Sequence, residues 1–263
     1  EILVNKNHVK APGEIIFSED FDGADWSGTS NEGEPVPENA PEGWILGDLT
    51  GDGHYFRWDT VGPRGIFTSP GADCTEPQEP VYTTTQSNGY LMMETDWYGT
   101  APDCSQYLTT EIDGYIEYHG GVNFAEYDAV HLVFEQCARF CCGYSSSANA
   151  WFRVSADNGT TWTDVSVIES DVNQQVGEFG GPAYVSEYDL TQLVSEESNV
   201  WFRFHLANLS HYHWEIDDVA FVVPVDNDIQ FVDYWNDYIF YRDGSAEYPL
   251  NESYDFTEGF YEY

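Results

Sequence analysis

Turn-forming residues interrupt this chain about every ten positions, and the runs between them are short and rich in Val, Ile, Tyr, Phe, Trp and Thr. No long stretch repeats its apolar residues at helical spacing. A chain punctuated in this way is expected to fold as an all-β protein, a jelly-roll β-sandwich of two antiparallel sheets. The clearest strands run over 14–18, 89–94, 129–137, 150–155, 162–168, 200–206 and 213–222. In Trp151-Phe-Arg-Val-Ser155 and Val200-Trp-Phe-Arg-Phe-His-Leu206 apolar and polar residues largely alternate, as strands with one buried face require. Asn158-Gly159 lies between two of the runs and suits the positive φ angles of a hairpin turn. A short helix fits around 189–194.

Charge is the next constraint. Forty-seven acidic residues face eight basic ones, for a formal net charge of -39, and no lysine follows Lys10. Such a surface excludes nucleic-acid binding through a basic face. Carboxylates this dense repel one another in a compact state, so the fold calls for screening salt, bound cations or both, and Ca2+ is the expected cofactor. Salt adaptation and calcium loading both fit the acidity. Acidic chains with few aromatics stay disordered, but here 17% of residues are aromatic and 41% hydrophobic, enough for the core of a domain of about 200 residues. No run of about eighteen apolar residues occurs, which argues against membrane insertion. The opening Glu1-Ile-Leu-Val-Asn-Lys6 lacks the basic and apolar regions of a signal peptide and reads as a mature or trimmed N-terminus.

Of the five cysteines, Cys74 and Cys104 stand in Pro- and Asp-rich loop sequence and are expected to pair in an oxidising compartment. Cys137, Cys141 and Cys142 crowd together. At strand spacing Cys137 and Cys141 lie roughly 13 Å apart, too far to bridge unless the chain turns between them. A three-thiolate metal site and an odd buried thiol are both open readings.

The chain divides into an N-terminal extension (1–13), a main domain (14–223) and a segment (224–263) that reads as a linker and the start of a further β module. Residues 23–43 and 69–88 form long polar loops, which on a sandwich are functional or pinned by metals and disulfides. Four stretches of the main domain line up in order with one family. They are Phe17-Ser-Glu-Asp-Phe-Asp-Gly23; Gly43-Trp-Ile-Leu-Gly-Asp-Leu-Thr-Gly-Asp-Gly53 followed by Trp58; Arg153-Val-Ser-Ala-Asp-Asn-Gly-Thr-Thr-Trp162; and His213-Trp-Glu-Ile-Asp-Asp-Val219. Together they resemble the gingipain-type cleaved adhesin domain, related to the MAM-like jelly rolls of bacterial surface proteins. That resemblance implies a calcium-holding β-sandwich serving as an accessory module of a large secreted protein of Bacteroidetes type. The cysteine cluster, the 69–88 insertion and the acidity depart from the family pattern.

Two oxygen clusters are candidate calcium sites. Asp48 and Asp52 flank glycines in Asp48-Leu-Thr-Gly-Asp-Gly53, where side-chain and carbonyl oxygens can converge, although a plain Asp/Gly turn explains the same residues. Asp217 and Asp218 stand within the last long strand and alternate across it, so one must face inward or along an edge. With Glu19 or Asp20 from the first strand, one of them forms the preferred structural calcium site. The competing reading is that Asp218 accepts backbone amides of a neighbouring loop. His205, His211 and His213, with Glu215 continuing the face, invite a zinc reading that lacks a recognisable spacing motif. Trp58, Trp97 and Tyr98 lie beside loop carboxylates and are candidate sugar-stacking residues; capping of the core beneath the loops is the alternative for both tryptophans.

No Gly-x-Ser-x-Gly, His-Glu-x-x-His or phosphate-binding loop is present, so no catalytic residue is assigned and the chain is not expected to be an enzyme. Asn158, Asn208 and Asn251 head Asn-x-Ser/Thr sequons. The expected function is a calcium-stabilised adhesion or binding module at the cell surface or outside the cell, with a protein or glycan ligand. A carbohydrate-binding module of an extracellular hydrolase, an acid/base enzyme and a structural subunit of a surface filament or motility apparatus are the alternatives.

Overall fold

The computed structural model describes residues 12–31, 34–108, 112–139, 149–168, 175–207 and 212–225. Cys141, Cys142, His211, Asn208, Asn251 and the 1–11 and 226–263 segments lie outside the described residues. In chain order the strands are β1 (Ile15–Glu19), β2 (Ser30–Asn31), β3 (Glu34–Pro35), β4 (Trp44–Asp48), β5 (Arg57–Asp59), β6 (Tyr90–Met93), β7 (Asp113–Val122), β8 (His131–Arg139), β9 (Asn149–Ser155), β10 (Thr163–Ile168), β11 (Gln175–Val176), β12 (Tyr184–Asp189), β13 (Val200–Ala207) and β14 (His213–Val222). Three short helices join them: α1 (Gly23–Trp26), α2 (Thr95–Gly99) and α3 (Thr191–Val194).

The strands form two main antiparallel sheets. One has the order β11-β8-β14-β6-β5, with β1 also pairing β14 and β12 also pairing β8; the other runs β10-β9-β13-β7-β4. All seven expected strands are present, and the helix expected near 189–194 is α3. At the hairpin between β9 and β10, Asn158 and Gly159 adopt φ angles of 58° and 77°, the left-handed pair that matches strand twist. Asp157 fixes this turn by accepting hydrogen bonds from the Thr161 amide and the Thr161 and Ser155 hydroxyls.

The alternation read in β9 and β13 resolves into faces. Phe152, Val154, Phe202 and Phe204 point between the sheets and join Trp44, Phe134, Trp214 and Phe221 in one core. Phe202 lies near its centre, with ring centroids of Phe17, Trp44, Tyr118, Phe152 and Phe221 between 5.1 and 5.7 Å away. Each such ring removed from water contributes roughly 1.5–3 kcal/mol, which supplies the driving force that the charged surface opposes.

Part of the outward face of the seven-stranded sheet, around Arg57, Cys137 and Glu215, is also buried, where residues 60–88 fold back and Thr83, Thr84 and Thr85 reach Asp217, Glu135 and Asp218. The Cys74–Cys104 disulfide, with Cα atoms 5.8 Å apart, staples that segment to the chain after α2. Beneath it Arg57 is fully buried and paired with Asp59 and Glu94. Glu94 also receives the Arg64 backbone amide, and Asp96 accepts the Phe67 amide and the Thr68 hydroxyl. Among the described residues no helix is long and apolar enough to cross a membrane.

Candidate functional site

A cluster of acidic side chains and hydroxyl donors lies where β14 bulges. Its register with β8 shifts between Asp217 and Ala220, and Asp218 takes a φ of 50°. The expected alternation of the two aspartates is therefore overturned. A left-handed residue at a bulge turns the next side chain back, and both carboxylates face the turn at 83–85. The Thr83 hydroxyl donates to Asp217, while the Thr85 amide and hydroxyl donate to Asp218 at 3.0 Å each. Between them, the Thr84 amide and hydroxyl donate to Glu135 at 2.8 and 2.5 Å. Asp20 accepts from Asn88, just after that turn, at 3.2 Å.

Burial drives Asp217 up to about 8, and the charges of Asp218 and Glu135 add to that rise, while the Thr83 hydrogen bond opposes it. Asp218 is raised for the same first reason, desolvation. Glu19 points elsewhere: its Oε1 accepts from the Phe21 amide and the Trp26 indole, and burial lifts its pKa. Glu135 was not legible as a member of this group. Its place follows from register alone, since it stands opposite Asp217.

Asp48 is a loop cap. Its carboxylate accepts from the Thr50 amide and hydroxyl and from the Gly53 and His54 amides, at 2.6 to 3.2 Å. These bonds to the ionised form outweigh partial burial and hold its pKa below the usual carboxylate range. Asp52 is exposed, and its amide donates to the Thr50 hydroxyl.

Trp58 packs on the core and its indole N–H donates to the Phe21 carbonyl at 2.9 Å. Gly23 and Gly89 lie against its ring so closely that a Cβ at either would fall within 2.6 Å of it. The Tyr98 hydroxyl donates to the Tyr55 carbonyl at 2.7 Å, and its ring lies 4.6 Å from that of His54. Trp97 is half-buried with the Arg64 guanidinium 4.6 Å above its ring. His205 and His213 stand on different sheets, so the expected histidine set does not assemble from them.

The outward face of the five-stranded sheet carries an aromatic and cationic surface that the motifs did not reveal. Trp151, Trp162, Trp201 and Tyr115 are half-buried there. Arg203 lies 4.1 Å from the Trp162 ring and 5.1 Å from that of Tyr115, and Arg153 lies 4.4 Å from Trp151. Ion pairs with Glu117 at 3.6 Å and Asp164 at 2.7 Å orient the two guanidiniums. His205 links Arg153 to Asp113: its Nδ1 meets Arg153 and its Nε2 meets Asp113. Because arginine only donates, Nδ1 carries the lone pair and Nε2–H donates to Asp113. Burial, with Arg153 and Arg203 nearby, lowers the His205 pKa, and the hydrogen bond to Asp113 opposes that shift.

In the solved structures, this β-sandwich is similar to two cleaved adhesin domains of Lys-gingipain from Porphyromonas gingivalis. One is 15% identical with a TM-score of 0.41, covering 80% of this chain and 98% of that one; the other is 14% identical with a TM-score of 0.42, covering 80% and 99%. It is also similar to a xylan-binding domain from Paenibacillus barcinonensis, at 13% identity and a TM-score of 0.34, covering 83% of this chain and 100% of that one. No family model and no curated protein matches the sequence.

Proposed function

We propose that this chain is a non-catalytic extracellular binding module, stabilised by calcium, that engages a glycan through the outward face of its five-stranded sheet. The observation that carries this reading is the Trp151, Trp162, Trp201 and Tyr115 surface with Arg153 and Arg203 laid across it. Sugar rings offer apolar C–H faces to aromatic side chains, and guanidinium N–H groups donate to hydroxyls or uronate carboxylates. In a chain of net charge -39, this face holds two of the eight basic residues. Trp58 and Tyr98 serve the core rim in this reading, and the sugar-stacking role passes to the open sheet.

Calcium belongs at the β14 bulge. Asp20, Glu135, Asp217 and Asp218 offer an oxygen-only donor set, the chemistry that ion prefers. When bound, it supplies positive charge where Asp217 is otherwise held protonated near neutral pH. The Cys74–Cys104 disulfide supports an oxidising, extracellular setting.

Glycan-array binding by the whole chain, repeated with Trp151→Ala and Trp201→Ala, tests the proposal. Loss of binding in both variants, with Trp58→Ala showing no specific loss once folding is matched, is expected. Absence of glycan binding by the wild type, or binding unmoved by both substitutions, overturns it.

A further inference from the structure

Cys137, His213 and Glu215 meet on the covered face of the seven-stranded sheet. Cys137 on β8 and Glu215 on β14 are direct cross-strand partners, and His213 precedes Glu215 by one full pleat, so all three side chains share a side. A sulfur, an imidazole nitrogen and a carboxylate oxygen lie within 4.8 Å of one another. All three residues are buried, none more than 1% exposed.

Their ligand atoms are also unused. Both nitrogens of His213 and Oε1 of Glu215 have no hydrogen-bond partner among the described residues, and Cys137 is a free thiol. An imidazole carries one donor and one acceptor when neutral, and leaving both unmet in a dry interior costs each group its lost hydration. Native proteins keep such groups where a further ligand satisfies them. The Val81 backbone amide holds Glu215, and the Phe179 ring lies 4.8 Å from that of His213, so two of the three side chains are positioned.

The geometry points to a buried transition-metal site in which the Cys137 thiolate, a ring nitrogen of His213 and the Glu215 carboxylate bind one zinc-like divalent ion. Two anionic ligands and one neutral ligand balance a double positive charge, so the loaded site adds no net charge to the interior. The mixed sulfur, nitrogen and oxygen set selects zinc or cobalt over calcium, which takes oxygen alone. Tetrahedral bonds of about 2.0–2.3 Å place ligand atoms about 3.3–3.6 Å apart, within reach of small rotamer changes from the present separations. Metal bound there ties β8 to β14 beneath the 60–88 cover.

Cobalt(II) titration of the metal-stripped whole chain, with the disulfide intact, tests the site. One equivalent is expected to raise a thiolate-to-cobalt charge-transfer band that zinc abolishes and millimolar calcium leaves in place. Cys137→Ser removes the band, and Glu215→Gln weakens cobalt binding at least tenfold, whereas Asp218→Asn changes neither. Should Cys137→Ser not fold, zinc-edge absorption of the wild type decides, with one sulfur neighbour per zinc expected. A folded wild type that shows no charge-transfer band, a band that survives Cys137→Ser, or a zinc shell without sulfur overturns the site.

Discussion

Glu135 on β8 and Asp217 on β14 stand directly opposite each other across the sheet, with Asp218 turned onto the same loop by the bulge that follows. Like charges in direct cross-strand register destabilise a sheet. Here three threonines in sequence each donate a hydroxyl to one of the three acids, which gives partial relief without positive charge.

Calcium is therefore expected to raise the melting temperature. A cation bound only to the native state adds about 4 kcal/mol at a thousandfold excess over its Kd. Asp217→Asn and Asp218→Asn are expected to abolish that shift, and in chelator Asp217→Asn should match or exceed the wild type because it replaces a carboxyl that burial keeps protonated at the expense of stability near neutral pH. Melting scans with and without chelator check both. Equal curves for the wild type in the two conditions would refute calcium binding at the bulge.

Removing the disulfide should loosen the cover. The bridge closes a separation of 30 residues, and the loop-closure entropy it withholds from the unfolded chain corresponds to roughly 3–4 kcal/mol. Denaturant midpoints of the double variant Cys74→Ala, Cys104→Ala, followed by limited proteolysis, measure it. The first cleavage is expected within 69–88.

Asp96 gives a pH dependence of definite sign. Burial, its largest influence, raises its pKa to about 6, against the hydrogen bonds from Thr68 and Phe67, while the unfolded chain titrates near the ordinary value of 3.8. Between these values the unfolded chain has released a proton that the native protein keeps. Stability from this group is complete below pH 4, falls as pH rises towards 6 by up to about 3 kcal/mol, and is flat above. Asp96→Asn should flatten this part of the profile. Parallel melting-temperature profiles for variant and wild type from pH 4 to 7 would refute the assignment.

Phe202→Ala should cost about 3–5 kcal/mol, because five rings surround the vacated volume and a rigid aromatic cluster collapses poorly. Chemical denaturation at fixed calcium measures the loss. Trp201→Ala, on the outward face of the same strand, should cost far less.

Local pattern carried the architecture. Alternation in β9 and β13, Asn158-Gly159 at the hairpin between β9 and β10 and the loop setting of Cys74 and Cys104 are properties of near neighbours along the chain, and the strands, the turn and the disulfide appear where they pointed. Strand β7 was not marked, because Asp113-Gly-Tyr-Ile-Glu-Tyr-His-Gly-Gly-Val122 carries three glycines and charged residues that blur the apolar period. Strand β12 escaped for a related reason: most of its residues are exposed.

The sites depended on register and on what folds over a sheet, which no local pattern encodes. Forty-seven acidic residues are too many for sequence to say which four line the 83–88 segment at the bulge; the pairing of β8 with β14 brought Glu135 to Asp217, and the fold-back of 60–88 brought the three threonines to them. The same pairing set Cys137 against Glu215, and the alignment of β7, β9 and β13 assembled Tyr115, Trp151 and Trp201 on one face. Sequence by itself determined that the chain forms strands, buries rings and presents acid to solvent, because those follow from side-chain type and spacing. Tertiary structure decided which acids, thiols and tryptophans share a site, because a one-residue slip in pairing would send every one of them to the other side of its sheet.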